Sequence, residues 1–283
     1  MKRLSIRSIF FVLTGLFFST ALAPQISAMN RETFVLVSIP WRDTATLNEI
    51  YAPMLELLEE KTGRKTEFYV SSNYQELTQR LISGAADIGI LGGNSYIDAR
   101  ASYPGITYLA TCMQPTAFYQ SLIVSRKDRK LEQLSDLVNR SFAFTDKKST
   151  SGYLYPKLML LSNGINPQKD LSITYFLNKH DKVYDAVAKG VIDAGGVSKT
   201  ALKKAVERNG NVFHILAESD PIPRNAVVAA PHLSQERIRK IRKILADADQ
   251  SPHFQNSDSI LKGFAIKDDA FYNIVRDARK LKP

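Results

Sequence analysis

The sequence predicts an α/β protein of two lobes with a ligand cleft between them, and three observations support this fold class. With 283 residues, the chain is longer than one average domain. Short β-branched runs alternate with amphipathic helical patterns, which is typical of βαβ units and largely parallel sheets. Two extended segments, 119–128 and 221–231, are long enough to carry the chain out of one lobe and back. We therefore expect residues 29–118 and 225–283 to form lobe 1 and residues 119–224 to form lobe 2.

Residues 1–28 have the pattern of an export signal and are expected to belong to neither lobe. MKRLSIR is positively charged, IFFVLTGLFFSTALA is apolar, and ISA at 26–28 fits a cleavage site. A retained membrane anchor is the alternative that the apolar run leaves open. Loss of the signal removes Lys2, Arg3 and Arg7, so the formal net charge falls from +10 to +7.

The first part of lobe 1 is predicted to contain three strand–helix units. FVLVSI is a β-branched strand, and apolar residues at 47, 50, 54, 57 and 58 have the spacing of one helix face. Thr62-Gly63 ends this helix. The predicted elements are strands at 34–39, 66–70 and 87–91 and helices at 47–61, 71–84 and 94–103.

The alternation continues through lobe 2 and returns to lobe 1. A strand at 120–128 is followed by a short helix and a strand within 131–146. The remaining predicted elements are strands at 173–176 and 191–194, a helix at 183–189, and, after the second extended segment, amphipathic helices at 235–249 and 268–281.

Composition argues against several classes of partner and cofactor. Basic residues are interleaved with acids and form no aromatic-interleaved stripe, so no nucleic-acid partner is expected. Cys112 is the only cysteine, which excludes an intramolecular disulfide and a zinc–cysteine cluster. The histidines His180, His214, His232 and His253 lack the i, i+4 spacing of a helical metal site, so we expect neither a metal nor a cofactor.

The segment DKKSTSGYLYP at 146–156 is the most informative motif. Ser149, Thr150 and Ser151 are residue types that cap a helix start, where free backbone N–H groups and the positive end of the helix dipole also lie. Such a turn either begins a helix or also holds an anion. Segments 71–74 and 92–96 also follow predicted strands, and such turns meet at the ligand-binding edge of open α/β sheets.

Three segments carry a resemblance to a known family: SNYQELTQRLISGAADIGILGGNSYIDA at 72–99, FAFTDKKSTSGYLYPKLMLLSNGINPQKD at 142–170 and FLNKHDKVYDAVAKGVIDAGGVS at 176–198. With these segments in this order, the chain resembles the periplasmic phosphonate-binding proteins. These are the substrate-binding components of ABC importers for phosphonate, phosphite and phosphate. The resemblance covers nearly all of the chain after the signal.

The resemblance implies the type II periplasmic binding protein fold, in which a two-strand hinge joins two α/β lobes around the cleft. It also implies a periplasmic location, a small anionic ligand (phosphonate, phosphite or phosphate) and docking on the membrane permease of an ABC transporter. A binding protein of this kind is not an enzyme, and we expect a monomer.

By motif position, the resemblance also implies the residues that hold the phosphonate oxygens. They are the three hydroxyl residues, Ser149, Thr150 and Ser151, together with His180, Tyr74 and Tyr96. Hydroxyl and N–H groups at a helix start can donate several hydrogen bonds to a tetrahedral oxyanion, and a ring nitrogen of histidine can add another. The pKa of such a histidine is expected to rise beside a dianion.

Each of these residue types also has an ordinary structural interpretation. The hydroxyl run on its own is a common helix cap. Tyr74 shares a helix face with Leu77 and Leu81, so the pattern alone favours a core position. Tyr96 is explained equally by aromatic packing, and His180 by a surface or capping role. The family position favours the ligand role for the three hydroxyls, His180 and Tyr96 and leaves Tyr74 between the two.

Four further residues are candidates for the surroundings of the ligand. Asp193 either supports the site from behind or receives a loop N–H group at a strand end. Trp41 either shapes the substituent pocket or fills the core. Thr200 and Asn225 occupy the positions of two acids that hold the ammonium of aminoalkylphosphonates in the family. Because neither is an acid, and Lys199, Lys203 and Lys204 are close in sequence, we expect phosphite, phosphate or a small alkylphosphonate instead.

Two other functions use the same cleft. A sensory or chemotactic co-receptor would dock on a receptor instead of a permease, and the sequence does not separate these partners. An exported enzyme has less support, because the sequence presents no activated nucleophile, facing carboxylates or metal constellation.

Overall fold

The computed structural model describes residues 33–281 of the chain. The predicted export signal lies outside the described residues. Within the described part, no helix is both long enough and apolar enough to cross a bilayer.

Three strand–helix units begin the described part of the chain, as predicted. They are β1 (Thr33–Ser38), α1 (Thr44–Thr62), β2 (Lys65–Val70), α2 (Tyr74–Ile82), β3 (Ile88–Leu91) and α3 (Gly93–Ser102). Two strands that were not predicted follow without a helix between them: β4 (Thr107–Cys112) and β5 (Phe118–Tyr119).

The middle segment contains β6 (Ser121–Arg126), β7 (Ser141–Phe144), a π-helical turn (Thr150–Leu154), α4 (Tyr155–Ser162), β8 (Ile173–Phe176), α5 (His180–Ala188), β9 (Ala194–Ser198), α6 (Leu202–Asn209) and β10 (Phe213–Glu218). The last segment contains β11 (Ile222–Pro223), β12 (Ala226–Ala229), α7 (Gln235–Ala246), α8 (Pro252–Gln255), β13 (Phe264–Ala265) and α9 (Asn273–Lys280).

Two mixed sheets organise the two lobes. Lobe 1 is built on a six-stranded sheet of order β13-β4-β12-β3-β1-β2, and lobe 2 on a five-stranded sheet of order β10-β6-β9-β7-β8. A small sheet of β5 and β11 joins the two crossing segments. The predicted lobe boundary after residue 118 falls within β5, and the one after residue 224 falls just after β11.

The expectation of largely parallel sheets was only partly correct. Among the described strands, β1–β2, β1–β3, β7–β8 and β7–β9 pair in parallel, and the other pairings are antiparallel. Strand β12 begins at Ala226, opposite Leu91 at the carboxyl end of β3, and β6 begins at Ser121, opposite Ser198 at the carboxyl end of β9. A strand that enters a sheet at the carboxyl edge after crossing from the other lobe has to run antiparallel.

Alternation along the strands divides the core of lobe 2 into two layers. Leu122 and Val124 of β6 pack with α5 on one face of the sheet, whereas Ile123 packs on the other face with Phe142 and Leu160. Successive side chains of a strand point to opposite faces, so both faces of this sheet are covered. The covering helices begin at the carboxyl edge of the sheet, and this places their first residues in the cleft.

Candidate functional site

A small cavity of about 30 Å³ lies at the carboxyl edges of both sheets. Its walls come from both lobes and from the segments that join them. The lining residues are Ile39, Trp41, Tyr74, Gly92, Cys112, Gln114, Tyr119, Ser149, Thr150, Ser151, His180, Ser198, Thr200, Arg224 and Asn225. The convergence expected for the segments after β2, β3 and β7 is therefore present, and the segment after β1 joins them.

The Ser-Thr-Ser turn forms one wall of this cavity. Ser149 caps the π-helical turn, and its Oγ accepts a hydrogen bond from Gly152 N at 3.0 Å. Oγ1 of Thr150 accepts a hydrogen bond from Asn94 N of lobe 1 at 2.9 Å. A hydroxyl that accepts a backbone N–H group keeps its own hydrogen to donate. Both side chains can therefore cap a helix start and donate to an anion, so the two interpretations of the motif are compatible.

His180 is held as a neutral hydrogen-bond donor. Its Nδ1 accepts a hydrogen bond from Ser198 N at 3.0 Å, so the ring proton lies on Nε2. Burial, with the positive charge of Arg42 as a smaller cause, lowers the pKa of His180 to about 3. The ring is therefore neutral at pH 7, and its only N–H group is the one on Nε2.

From lobe 1, Tyr74 contributes another donor and Trp41 contributes an aromatic side chain. Both side chains are buried and line the cavity. Burial raises the pKa of Tyr74 well above its usual range, while an interaction with Ser149 opposes this, so the phenol keeps its proton. The Nε1 of Trp41 is buried and makes no hydrogen bond of standard geometry among the described residues. Tyr74 belongs to both the core and the cavity wall.

Thr200 and Asn225 also line the cavity, together with Arg224, which the sequence analysis did not single out. Oγ1 of Thr200 accepts a hydrogen bond from Arg224 Nη1 at 2.9 Å. The backbone oxygen of Asn225 accepts a hydrogen bond from Cys112 N at 3.0 Å. Thr200 is therefore next to a cationic side chain.

Tyr96 is not among the residues that line the cavity. Its hydroxyl donates to a carboxylate oxygen of Asp269, and its ring packs against Tyr108 and Tyr272, with centroids 5.9 and 4.9 Å away. The aromatic-packing interpretation describes this residue.

Asp193 is also outside the cavity lining. Its Oδ2 accepts hydrogen bonds from Ser141 N at 3.0 Å and Ser141 Oγ at 2.7 Å, just before β9 begins. The cavity lies at the other end of that strand, at Ser198. Asp193 therefore accepts the backbone N–H group of the first residue of β7, which is close to the structural alternative of an N–H acceptor at a strand end.

The sequence analysis also missed cavity residues that lie in the connections. Gln114 lies two residues after β4, Tyr119 is the second residue of β5, and Arg224 directly follows β11. β5 and β11 are two residues long, and periodicity gives no signal in such short strands or in a connection. The one available signal was the adjacency of Arg224 to Asn225. The lysines considered near Thr200 are instead paired outside the cavity, with Nζ–carboxylate distances of 2.6 Å for Lys199–Glu218 and 3.8 Å for Lys204–Glu49.

The electrostatics of the cavity favour an anion. No aspartate or glutamate is among its lining residues, whereas Arg224 contributes a positive charge. Helices α2 and α5 begin at the lining residues Tyr74 and His180, and the cap of α3 is Gly92. Three positive helix ends therefore meet at a wall of hydroxyl and N–H donors.

Comparison with known proteins identifies the family. The sequence profile described as "ABC transporter, phosphonate, periplasmic substrate-binding protein" matches residues 36–272. The chain belongs to this family. Its members are substrate-binding components of ABC transporters, and this agrees with the resemblance seen in the sequence.

Two curated relatives support the same assignment. The phosphate-import protein PhnD of Mycolicibacterium smegmatis is 29% identical over 229 residues, which cover 76% of this chain and 71% of the relative. The phosphonates-binding periplasmic protein of Escherichia coli is 23% identical over 242 residues, which cover 83% of this chain and 71% of the relative.

Solved structures show the same fold. PhnD1 of Prochlorococcus marinus, in complex with methylphosphonate, has a TM-score of 0.78 at 19% identity and covers 88% of this chain and 97% of its own. A binding component of a phosphonate ABC transporter from Pseudomonas aeruginosa has a TM-score of 0.74 at 21% identity and covers 87% and 85%. The predicted two-lobe type II periplasmic binding protein fold is confirmed.

Proposed function

We propose that this chain binds phosphite, phosphate or a small alkylphosphonate in the cavity between its lobes and delivers it to a membrane permease in the periplasm. The observation that carries the proposal is the wall of hydroxyl and N–H donors with a cation and no carboxylate. An oxyanion satisfies such donors and balances the charge. The division into lobe 1 (29–118 and 225–283) and lobe 2 (119–224), and a monomeric state, are part of the proposal.

The same wall disfavours an aminoalkylphosphonate. Thr200 and Asn225 would stand where an ammonium needs acids, and Arg224 would repel it. Burying an ammonium without a carboxylate partner costs several kcal/mol. This consideration supports a ligand with a small substituent or none.

Contacts between the lobes support binding by closure. Besides the Asn94–Thr150 hydrogen bond, Arg42 Nε of lobe 1 lies 3.2 Å from Asp181 Oδ2 of lobe 2. Their side chains are 2% and 11% exposed, respectively, so this ion pair is desolvated. We propose that a hinge at β5 and β11 opens these contacts when ligand enters and that ligand binding restores them.

Calorimetric titration of the mature protein tests the choice of ligand. We expect phosphite, phosphate or methylphosphonate to bind at least about 100-fold more tightly than 2-aminoethylphosphonate, because an unpaired buried ammonium costs several kcal/mol. Turnover of a phosphate ester or phosphonate is measured in parallel. Tight binding of the amino compound alone would contradict the argument from Thr200 and Asn225, and turnover would contradict a pure binding role.

Arg42→Gln tests the closure mechanism. We expect a loss of affinity of about 10-fold or more, because a weaker ion pair lowers the population of the closed form that binds ligand. Small-angle X-ray scattering at saturating ligand should still give the compact closed profile. The control is Arg279→Gln, since Arg279 Nη2 pairs with Asp98 at 2.6 Å within lobe 1 and both side chains are partly exposed. Equal affinities of the two variants would argue against this ion pair as a latch.

A further inference from the structure

Arg224, Gln114 and Thr200 form a connected group, here called the arginine group, on one side of the cavity. Arg224 Nη1 donates to Gln114 Oε1 at 2.8 Å and to Thr200 Oγ1 at 2.9 Å. Its Nη2 donates to the backbone oxygen of Gln114 at 2.8 Å, and its Nε donates to that of Thr116 at 2.9 Å. The guanidinium also lies over the ring of Tyr119, 5.5 Å from the centroid. The side chain is thus fixed in one position.

These hydrogen bonds determine which groups the arginine group presents to the cavity. Because Thr200 Oγ1 accepts from Arg224, the hydroxyl hydrogen of Thr200 is left to donate. Because Gln114 Oε1 also accepts from Arg224, the amide nitrogen of Gln114 is left as a donor. No described group accepts a hydrogen bond from either of these donors. The arginine group therefore presents hydrogen-bond donors, and no acceptor, to the cavity.

The charge of the arginine group is not balanced by a carboxylate. All four hydrogen-bond acceptors of Arg224 are neutral oxygens, and no described carboxylate lies within 4 Å of its guanidinium. Arg42 differs in this respect, because the carboxylate of Asp181 balances its charge. Arg224 is half-buried, and burial lowers its pKa, but a guanidinium stays protonated at any physiological pH. The charge is left for a ligand to neutralise.

We infer that the arginine group is a subsite for a fourth ligand oxygen, so that the cavity prefers phosphate to methylphosphonate and phosphite. This inference rests on the proposed function. The Ser-Thr-Ser turn, His180 and Tyr74 supply enough donors for three oxygens of a tetrahedral anion. The fourth vertex then meets Thr200 and Gln114, and the single P–OH hydrogen of HPO4²⁻ is left to a hydroxyl oxygen of the Ser-Thr-Ser turn, since a hydroxyl accepts as well as donates. A methyl group or a P–H bond at that vertex leaves both donors without an acceptor in a desolvated site, which is unfavourable.

Calorimetric titration with phosphate, methylphosphonate and phosphite tests the inference, at a pH where all three are dianions. The wild-type protein should bind phosphate about 10-fold more tightly than either of the others. Thr200→Val removes the hydroxyl at nearly constant volume. It should weaken phosphate binding about 10-fold, since a hydrogen bond to a charged group is worth this much, and it should not weaken methylphosphonate binding, since it also removes a donor that this ligand leaves unpaired.

Two further variants separate charge from hydrogen bonding. Arg224→Gln should weaken binding of all three anions by about 10-fold or more, because it removes the positive charge that each of them neutralises. Thr107→Val, at the other end of β4 from the cavity, should leave all affinities unchanged and controls for the Thr-to-Val change. Thermal unfolding of each variant verifies that it is folded.

The outcomes distinguish this inference from the proposed function. If none of the three anions binds, the proposed function fails, and the subsite fails with it. If all three bind equally, or if Thr200→Val weakens them equally, only the inference is overturned. In that case the substituent would lie instead against the apolar wall formed by Ile39 and Cys112.

Discussion

Replacing Ser149 and Thr150 together with alanine is expected to lower the affinity for the oxyanion by about 100-fold or more. Each hydroxyl accepts a backbone N–H group and is left with its hydrogen to donate. A hydrogen bond to a charged group contributes about 1.5–3 kcal/mol, so the loss of two exceeds two powers of ten in the dissociation constant. Calorimetric titration with the tightest-binding anion measures the change.

The control for this double variant has to lose a helix cap without losing a ligand contact. Ser234 caps α7, where its Oγ accepts a hydrogen bond from Arg237 N at 3.3 Å, away from the cavity lining. Ser234→Ala should lower the melting temperature slightly and leave the affinity unchanged. If the double variant binds as tightly as Ser234→Ala does, the turn is only a helix cap and the anion lies elsewhere.

The part of the site that the sequence predicted well lies on local motifs. The Ser149–Ser151 turn, Tyr74 and His180 each sit at the start of a helix that follows a strand, and both the motif and its position in the alternation are visible in the sequence. Because carboxyl ends of parallel strands share one edge, local positions were enough to predict that these residues converge.

Tyr96 shows where local reasoning was insufficient. Gly92 and Asn94 of the same turn face lobe 2, but two residues along a helix turn the side chain by about 200°, to the opposite side. There Tyr96 meets Tyr272 and Asp269, which lie more than 170 positions later in the chain. The sequence contains no local signal for that contact.

Asp193 was placed at the wrong end of its strand, because the strand was predicted too early in the chain. The prediction ended the strand at Ala194, whereas β9 begins there and runs to Ser198. Gly195 and Gly196 have low strand propensity and hid the true element. Packing nevertheless requires glycine in β9, because a Cβ on Gly196 would lie 2.6 Å from Pro156 Cγ. Tertiary packing overrode propensity here, and it moved Asp193 to the end of the strand away from the cavity.

A second large effect is expected from Gly152→Ala, which should lower the free energy of unfolding by about 3 kcal/mol. Gly152 is buried in the π-helical turn, and its amide is the one that Ser149 Oγ accepts. A Cβ at this position would lie 1.9 Å from Thr145 Oγ1 and 2.6 Å from Thr145 Cγ2. Thr145 is fully buried and branched at Cβ, so it has no open space into which to rotate. Denaturation by urea measures the loss.

Thr145→Ala supplies both the control and the rescue for this prediction. The Oγ1 of Thr145 is buried with no hydrogen-bond partner among the described residues, so the single variant loses packing but no hydrogen bond. Combined with Gly152→Ala, it removes the two closest atoms and leaves the Cβ of residue 145 at 2.8 Å, so it should restore part of the lost stability. A double variant as unstable as the two single changes added together would show that the clash with Oγ1 and Cγ2 of Thr145 is not the cause. Ligand affinity should follow stability in this series, because the same glycine amide fixes the hydroxyl of Ser149 that faces the anion.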